Sequence, residues 1–287
     1  MSTENLYAKR RDREATPDFA NINLLGSCNA RCYFCLGRDL GELIANRHDD
    51  RIHFESWPRF EEFLGQLHAA NVSKVYVTGQ NTDALLYRFL PFLVHHLHRE
   101  GFQVGLRTNG LLAPFNYFTI NQCELSTGYS IQSLNPETLH QIMGWTRVPD
   151  WDTILSQTAR PRVSMVVGRY NWQEFWDVLN LVKRHKHVRY FQARRISTDT
   201  RQKELLPDLV AYEALHDTIA AHYPVKQEFH GAPIYDIDGV DVVFWRTVQT
   251  TVSSMNYFTD GTISDCYFIV EGYLKNRNSL DFAPEME

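Results

Sequence analysis

Long apolar runs are missing from this chain. No stretch approaches the ~18 consecutive apolar residues of a membrane-spanning helix, and the opening MSTENLYAKRRDREATPDF is polar and basic where a secretory signal carries an apolar core. The expectation is a cytoplasmic protein with no membrane partner. Cysteine is scarce, five in 287 residues, and an odd number in a reducing compartment points to metal binding or catalysis rather than disulfides. Glycine is low at 15, and neither low-complexity segments nor repeats of a whole unit interrupt a globular composition. Excess positive charge is absent as well. With 29 Lys and Arg against 34 Asp and Glu, the net charge of -5 gives no general attraction to phosphate backbones, and no nucleic acid is expected. The basic and aromatic run KRHKHVRYFQARR (183 to 195) reads as a solvated helix end, where cations also complement the helix dipole.

What is present is an alternation of short β-branched or aromatic runs with helical patterns, the signature of βα units and a parallel sheet. Strands are expected at 19–25, 74–78, 103–108, 124–132, 162–167 and 188–196. Helices are expected at 56–71, with Ser56 as a candidate N-cap, and at 84–100, 135–143 and 171–185. This is a (β/α)6 order over 19–200, with near-continuously apolar strands as for a sheet covered by helices. Beyond residue 200 the pattern changes to a helix at 206–223, a strand at 240–246 and a hairpin at 256–268 turning on Asp260-Gly261.

Three of the five cysteines fall in CNARCYFC, where Cys28, Cys32 and Cys35 are spaced C-x3-C-x2-C directly after the first strand. That is the C-terminal edge, where parallel-sheet folds place their chemistry. One short loop can wrap three thiolates around a cluster, yet no fourth ligand is near. Iron–sulfur clusters normally take four cysteines, so three leave one iron open to an external ligand. Zinc would bring a second C-x2-C or paired histidines, and His48 and His53 stand at no ligand-type spacing to the cysteines. Zinc and a chance grouping of core cysteines remain the bland alternatives.

CNARCYFC resembles the C-x3-C-x-aromatic-C signature of the radical S-adenosylmethionine superfamily, with Phe34 at the aromatic position. The resemblance implies a partial (β/α)6 TIM-like barrel over 19–200. A segment at 1–18 would precede it, and a small α+β extension at 201–287 would lie on the substrate side. It implies one [4Fe-4S] cluster on Cys28, Cys32 and Cys35, with S-adenosylmethionine on the open iron. VTGQNTD places Thr78, Gly79, Gln80 and Asn81 where the family commonly has Gly-Gly-Glu-Pro; Gln80 or Asn81 could accept a hydrogen bond from the methionine amino group but supplies no charge. RTNG puts Asn109 close to the cofactor, and YSIQSLNPE offers Ser130, Gln132 and Ser133 to its ribose and carboxylate. FQARRIS points Arg194 or Arg195 inward, since neighbours on a strand face opposite sides.

The chemistry so implied is reductive cleavage of S-adenosylmethionine to a 5'-deoxyadenosyl radical, which removes a hydrogen atom from a substrate. A reducing partner such as flavodoxin or ferredoxin would supply the electron. Cys266 is the candidate catalytic residue: a protonated thiol can return a hydrogen atom from the opposite face and invert a carbon centre, and burial with Asp265 beside it would keep it protonated. The competing reading is a small hydrophobe on a strand beside Tyr267 and Phe268. Cys123, before the fourth strand, reads as structural. The resemblance is strongest to the sugar- and aminoglycoside-modifying branch of antibiotic biosynthesis, whose outcomes are epimerisation or loss of water from a diol. Glu228, Asp236, Asp238, Asp241 and Asp265 would be available to a polycationic substrate, though a solvated acidic loop accounts for most of them equally well. A peptide or nucleotide substrate is the alternative within the class. A structural zinc or RNA-binding protein is the alternative outside it.

Overall fold

In the computed structural model, six parallel strands lie side by side in chain order. They are β1 (Phe19–Leu25), β2 (Lys74–Gln80), β3 (Gln103–Thr108), β4 (Thr127–Ser130), β5 (Pro161–Val167) and β6 (Phe191–Arg195). The structure describes residues 17–45, 49–198, 201–247, 250, 252–266 and 269–277. Almost all of the expected 1–18 segment, together with His48, Tyr267 and Phe268, lies outside them.

The helices between strands are α1 (Glu42–Ala45), α2 (Phe60–Ala69), α3 (Leu90–Arg99), α4 (Tyr117–Gln122), α5 (Pro136–Met143), α6 (Trp151–Gln157) and α7 (Phe175–Arg184). After β6 come α8 (Leu206–His222) and, near the end, α9 (Ile269–Arg277). The parallel sheet with its covering helices is the expected α/β architecture. Helix α2 begins later than its sequence pattern, because Phe54–Ser56 forms a separate 3-10 turn and the chain enters the helix at Arg59 with φ 57. Helix α6 was not anticipated; Asp150 caps it by accepting from the Thr153 backbone N–H at 3.1 Å.

The strands are not apolar throughout but alternate between two environments. Ala20, Ile22 and Leu24 of β1, Val75 and Val77 of β2, and Phe191 and Ala193 of β6 join helix residues such as Phe63, Leu93 and Val178 in the main core. Their neighbours face the other way, into the concave side, and on β1 these are Asn21 and Asn23, both fully buried. Each is hydrogen-bonded there. Asn21 Nδ2 donates to Asn256 Oδ1 at 2.7 Å, and Asn23 Nδ2 donates to the Tyr257 carbonyl at 3.1 Å. A polar interior of this kind is stable only because its partners are satisfied.

Residues beyond 200 complete the same sheet at both ends. β7 (Val225–Phe229), β8 (Ala232–Ile237) and β9 (Val240–Trp245) form an antiparallel ribbon in which β9 pairs parallel to β6. β10 (Ser254–Phe258) pairs parallel to β1 and antiparallel to β11 (Ile263–Ser264), with the turn between them at Gly261, φ 89. The ribbon carries Asp236, Asp238 and Asp241 at the edge where β9 begins, which is opposite the cysteine loop. There Lys226 pairs with Asp241 at 2.6 Å, and Lys183 of the basic run pairs with Asp238 at 2.9 Å. Arg184 and His185 pair with Asp152 at 2.9 and 2.8 Å. These acids therefore face basic side chains of the chain itself, not the interior. Among the described residues no helix is long and apolar enough to cross a membrane.

Candidate cofactor-binding site

β1 ends at Leu25, and the chain turns through Gly26 and Ser27 into the cysteine loop at the C-terminal edge of the sheet. Helix α5 holds that loop from the side. Its last carbonyls, orphaned by the end of the helix, accept from the loop: Arg31 N–H reaches Met143 O at 2.8 Å, and Tyr33 N–H reaches Ile142 O at 3.2 Å. Trp145 Nε1 adds a bond to the Asn29 carbonyl at 2.9 Å. Phe34 packs against two small apolar clusters, one formed by Leu139, Ile142, Met143 and Trp145 and one by Ile196, Leu205 and Leu209. The aromatic of the motif is thus a wedge that fixes the loop between α5 and the start of α8.

Cys28, Cys32 and Cys35 are all partly exposed, and none of the five cysteines is in a disulfide. Burial pushes the Cys28 thiol up to about 12, against backbone N–H groups of Ala30 and Asn29 that favour the thiolate. Cys32 is raised by burial first and then by the charges of Cys35 and Cys28. Burial raises Cys35 too, while the N–H groups of Gly37, Asn81 and Arg38 oppose it. Among the described residues no three His, Cys, Asp or Glu side chains converge as ligands of a single ion. On an iron–sulfur cluster each thiolate binds a different iron, so the ligands surround the cluster instead of meeting at one ion. Three thiols in one short loop, with backbone N–H groups of Ala30 and Asn29 toward Cys28 and of Gly37, Asn81 and Arg38 toward Cys35, form a donor set that fits such a cluster.

The end of β2 lies alongside. Thr78, Gly79 and Gln80 stand in register with Asn23, Leu24 and Leu25, and Gln80 Nε2 reaches Asn23 Oδ1 at 3.4 Å. Asn81 takes φ 58. Gly37 is pressed against it so closely that a Cβ there would sit 2.6 Å from the Asn81 backbone nitrogen, so any side chain at 37 forces the loop off β2. From β3, Asn109 Nδ2 donates to Asn29 Oδ1 at 2.7 Å and lies 3.8 Å from Cys28 Sγ.

The residue that organises this corner was not singled out from the sequence. Asp83 accepts from Leu85 N–H at 3.0 Å and Thr108 Oγ1 at 2.8 Å through one oxygen, and from Asn109 N–H at 2.6 Å through the other. It joins the β2 loop to the end of β3 and so places Asn109. Burial raises its pKa, and these three hydrogen bonds oppose the shift. A signal was available: Asp83 directly precedes the apolar run ALL and caps its turn.

Ser130 stands beside Ser164 in register on the concave face. Gln132 Oε1 accepts from Val166 N–H at 2.9 Å, tying the end of β4 to β5. The choice between two arginines is decided by parity. Arg195 lies on the helix face and pairs with Glu213 of α8 at 3.3 Å, which leaves Arg194 on the concave face. Cys266 is not gathered with the other three cysteines. β11 runs back toward the strands' starting edge, and the Cys266 carbonyl accepts from Asn256 Nδ2 at 3.0 Å. Asn256 stands level with Asn21, about 13 Å below the end of β1 at the usual strand rise. Cys266 thus abuts the interior at a lower level, its Cβ against Gly272 of α9. Cavities of about 340 and 500 Å³ open elsewhere, and no residue of this corner lines either.

No family model matches the sequence, and no curated protein does. Solved structures do match in fold. SuiB of Streptococcus suis, in a crystal structure bound to its precursor peptide SuiA, aligns at TM-score 0.59 and 15% identity over 88% of this chain and 61% of its own. SuiB bound to S-adenosylmethionine aligns at 0.57 and 16%, over 87% of this chain and 60% of its own. This chain therefore spans about three fifths of the SuiB length. At these identities the likeness is one of fold: this chain shares the SuiB arrangement of a parallel sheet with covering helices.

Proposed function

We propose that the protein is a radical S-adenosylmethionine enzyme acting on a small polar metabolite in the cytoplasm. The observation that carries this reading is the loop leaving β1, where Cys28, Cys32 and Cys35 sit between α5 and the ends of β2 and β3. These cysteines would hold a [4Fe-4S] cluster. When bound, the cluster would supply the electron that splits S-adenosylmethionine into methionine and the 5'-deoxyadenosyl radical. Thr78, Gly79, Gln80 and Asn81 would receive the methionine end. Asn109, Ser130 and Gln132 would line the remainder of the cofactor site, with Arg194 as a fixed cation for a carboxylate. The protein's own task is positioning and exclusion of water, because a primary carbon radical attacks whatever it meets. Flavodoxin or ferredoxin would be the reductant.

The test is anaerobic reconstitution. About four irons per chain are expected, with a brown protein that forms 5'-deoxyadenosine on reduction; a colourless protein carrying zinc overturns the reading.

For the substrate, the polar concave face supports a sugar-like or other hydroxylated natural-product intermediate; only if Arg194 meets substrate in place of the cofactor would an anionic group be favoured. A peptide is the second reading, favoured by the likeness to SuiB in its peptide-bound form. For the outcome, Cys266 on the lower side of the interior would act as hydrogen-atom donor in an epimerisation, opposite a radical generated at the upper edge. The thiyl radical left on Cys266 would be returned to the thiol by one electron from the same flavodoxin or ferredoxin and a proton. Under that reading Cys266→Ala keeps cofactor cleavage, read as 5'-deoxyadenosine formed, while the yield of epimerised product falls. Unchanged product removes Cys266 from the chemistry and leaves diol dehydration.

A further inference from the structure

Between β6 and α8 the chain sends Arg201 back across the cysteine loop. Its guanidinium makes three directed bonds: Nε to Asp39 Oδ1 at 2.6 Å, Nη1 to the Tyr33 carbonyl at 2.6 Å and Nη2 to the Cys35 carbonyl at 2.8 Å. One accepting carbonyl lies between two candidate ligands and the other belongs to a ligand. Asp39 has no side-chain exposure and Arg201 has 16%. Thr198 completes the fixture, its hydroxyl donating to Asp39 Oδ2 at 2.8 Å and accepting from Arg201 N–H at 3.0 Å.

The arrangement is polarised. Asp39 sits behind Nε, while the two terminal nitrogens face the loop, so the positive end of a buried ion pair is turned toward the cysteines. In a site removed from water such a charge is weakly screened. We propose that Arg201 is a positioning residue that clamps the cysteine loop through two of its carbonyls and raises the reduction potential of the cluster held there. The proposal rests on the cluster reading above. A cluster gains negative charge on reduction, so a nearby fixed cation favours the reduced state and an unbalanced buried carboxylate disfavours it.

Arg38 offers a built-in comparison. It donates to the same Tyr33 carbonyl at 3.3 Å but from an exposed position, where solvent screens its charge.

The experiment is an EPR-monitored redox titration of the anaerobically reconstituted full chain, with iron per chain measured in parallel. Arg201→Gln leaves Asp39 uncompensated and is expected to shift the midpoint potential negative. Asp39→Asn removes the balancing carboxylate and is expected to shift it positive. Arg201→Lys keeps the charge but cannot span both carbonyls and Asp39, so the potential stays near wild type while iron retention falls. Arg38→Gln shifts it little. Opposite signs for the first two variants distinguish a charge effect from loop disorder, which moves both alike. If Arg201→Gln fails to fold, the Lys and Asn variants carry the test. Arg201→Gln and Asp39→Asn both at the wild-type potential, or both shifted in the same direction, overturn the proposal. A wild-type chain that takes up no iron is a failure of the cluster reading and is seen before any variant is made.

Discussion

Cys32→Ala is expected to take reconstituted iron from about four per chain to near background and reductive cleavage of S-adenosylmethionine below detection, a loss of more than about 100-fold. The magnitude follows from comparison with weaker perturbations: removing a mere outer partner of a metal ligand costs about 10–100-fold in affinity, and here a ligand itself is lost from a set that has three and no spare. The loop offers no substitute, since the remaining cysteines are Cys123 and Cys266. Cys123 is buried behind α4 with its Sγ toward the Thr119 carbonyl, and Cys266 lies at the lower level of the interior. The fold should survive, because the loop is fixed by backbone bonds to α5 and by Phe34 rather than by the Cys32 side chain. The control is Cys123→Ala, which disturbs the core and lowers the melting temperature but leaves iron uptake intact. Iron analysis and the visible spectrum after anaerobic reconstitution read both. A Cys32→Ala chain that retains about four irons contradicts the assignment.

The cysteine corner was legible because its information is local. Spacing within CNARCYFC and the strand before it lie within short windows, and that strand spans the expected 19–25; the second strand runs on past 78 to Gln80, so Thr78, Gly79 and Gln80 lie in the strand and only Asn81 follows it. What stayed hidden depends on parity or on distance along the chain. FANINLL reads as an apolar strand, yet Asn21 and Asn23 face a concave side, and their hydrogen-bond partners, Asn256 and Tyr257 on the neighbouring β10, come from 235 and 234 residues later. FQARRIS left two arginines open, and only Glu213 on α8 shows which one is turned outward. β7 is exposed along its whole length, so it lacks the apolar alternation that marks a strand. Its signal lay in the turns. His230-Gly231 and Asp238-Gly239 all have positive φ, from 51 to 86, as two-residue hairpins of the primed type require. The Asp-Gly turn at 260 was recognised and these two were not.

Asp83 shows the same limit in energetic form, and its replacement has the second large expected effect. Asp83→Ala leaves the Leu85 and Asn109 N–H groups and the Thr108 hydroxyl without their acceptor in a buried corner. Hydrogen bonds to a charged group are worth about 1.5–3 kcal/mol each. The sum overstates the loss, because burial without a cation already disfavours this carboxylate, as its raised pKa shows. A net destabilisation of about 2–4 kcal/mol is expected from the two opposing contributions, visible in urea unfolding as a lower midpoint with an unchanged slope. Asp83→Asn recovers only part of this, since its amide places an NH2 against either the Leu85 or the Asn109 N–H. The effect should also reach the cofactor. Asn109 loses the bond that fixes its backbone, and with it the contact between its Nδ2 and the Asn29 side chain beside Cys28. Binding of S-adenosylmethionine to the reconstituted protein should weaken more than the stability loss alone accounts for at temperatures where the variant is fully folded. A variant that matches wild type in both urea midpoint and cofactor affinity would show that Asp83 neither supports the corner nor places Asn109.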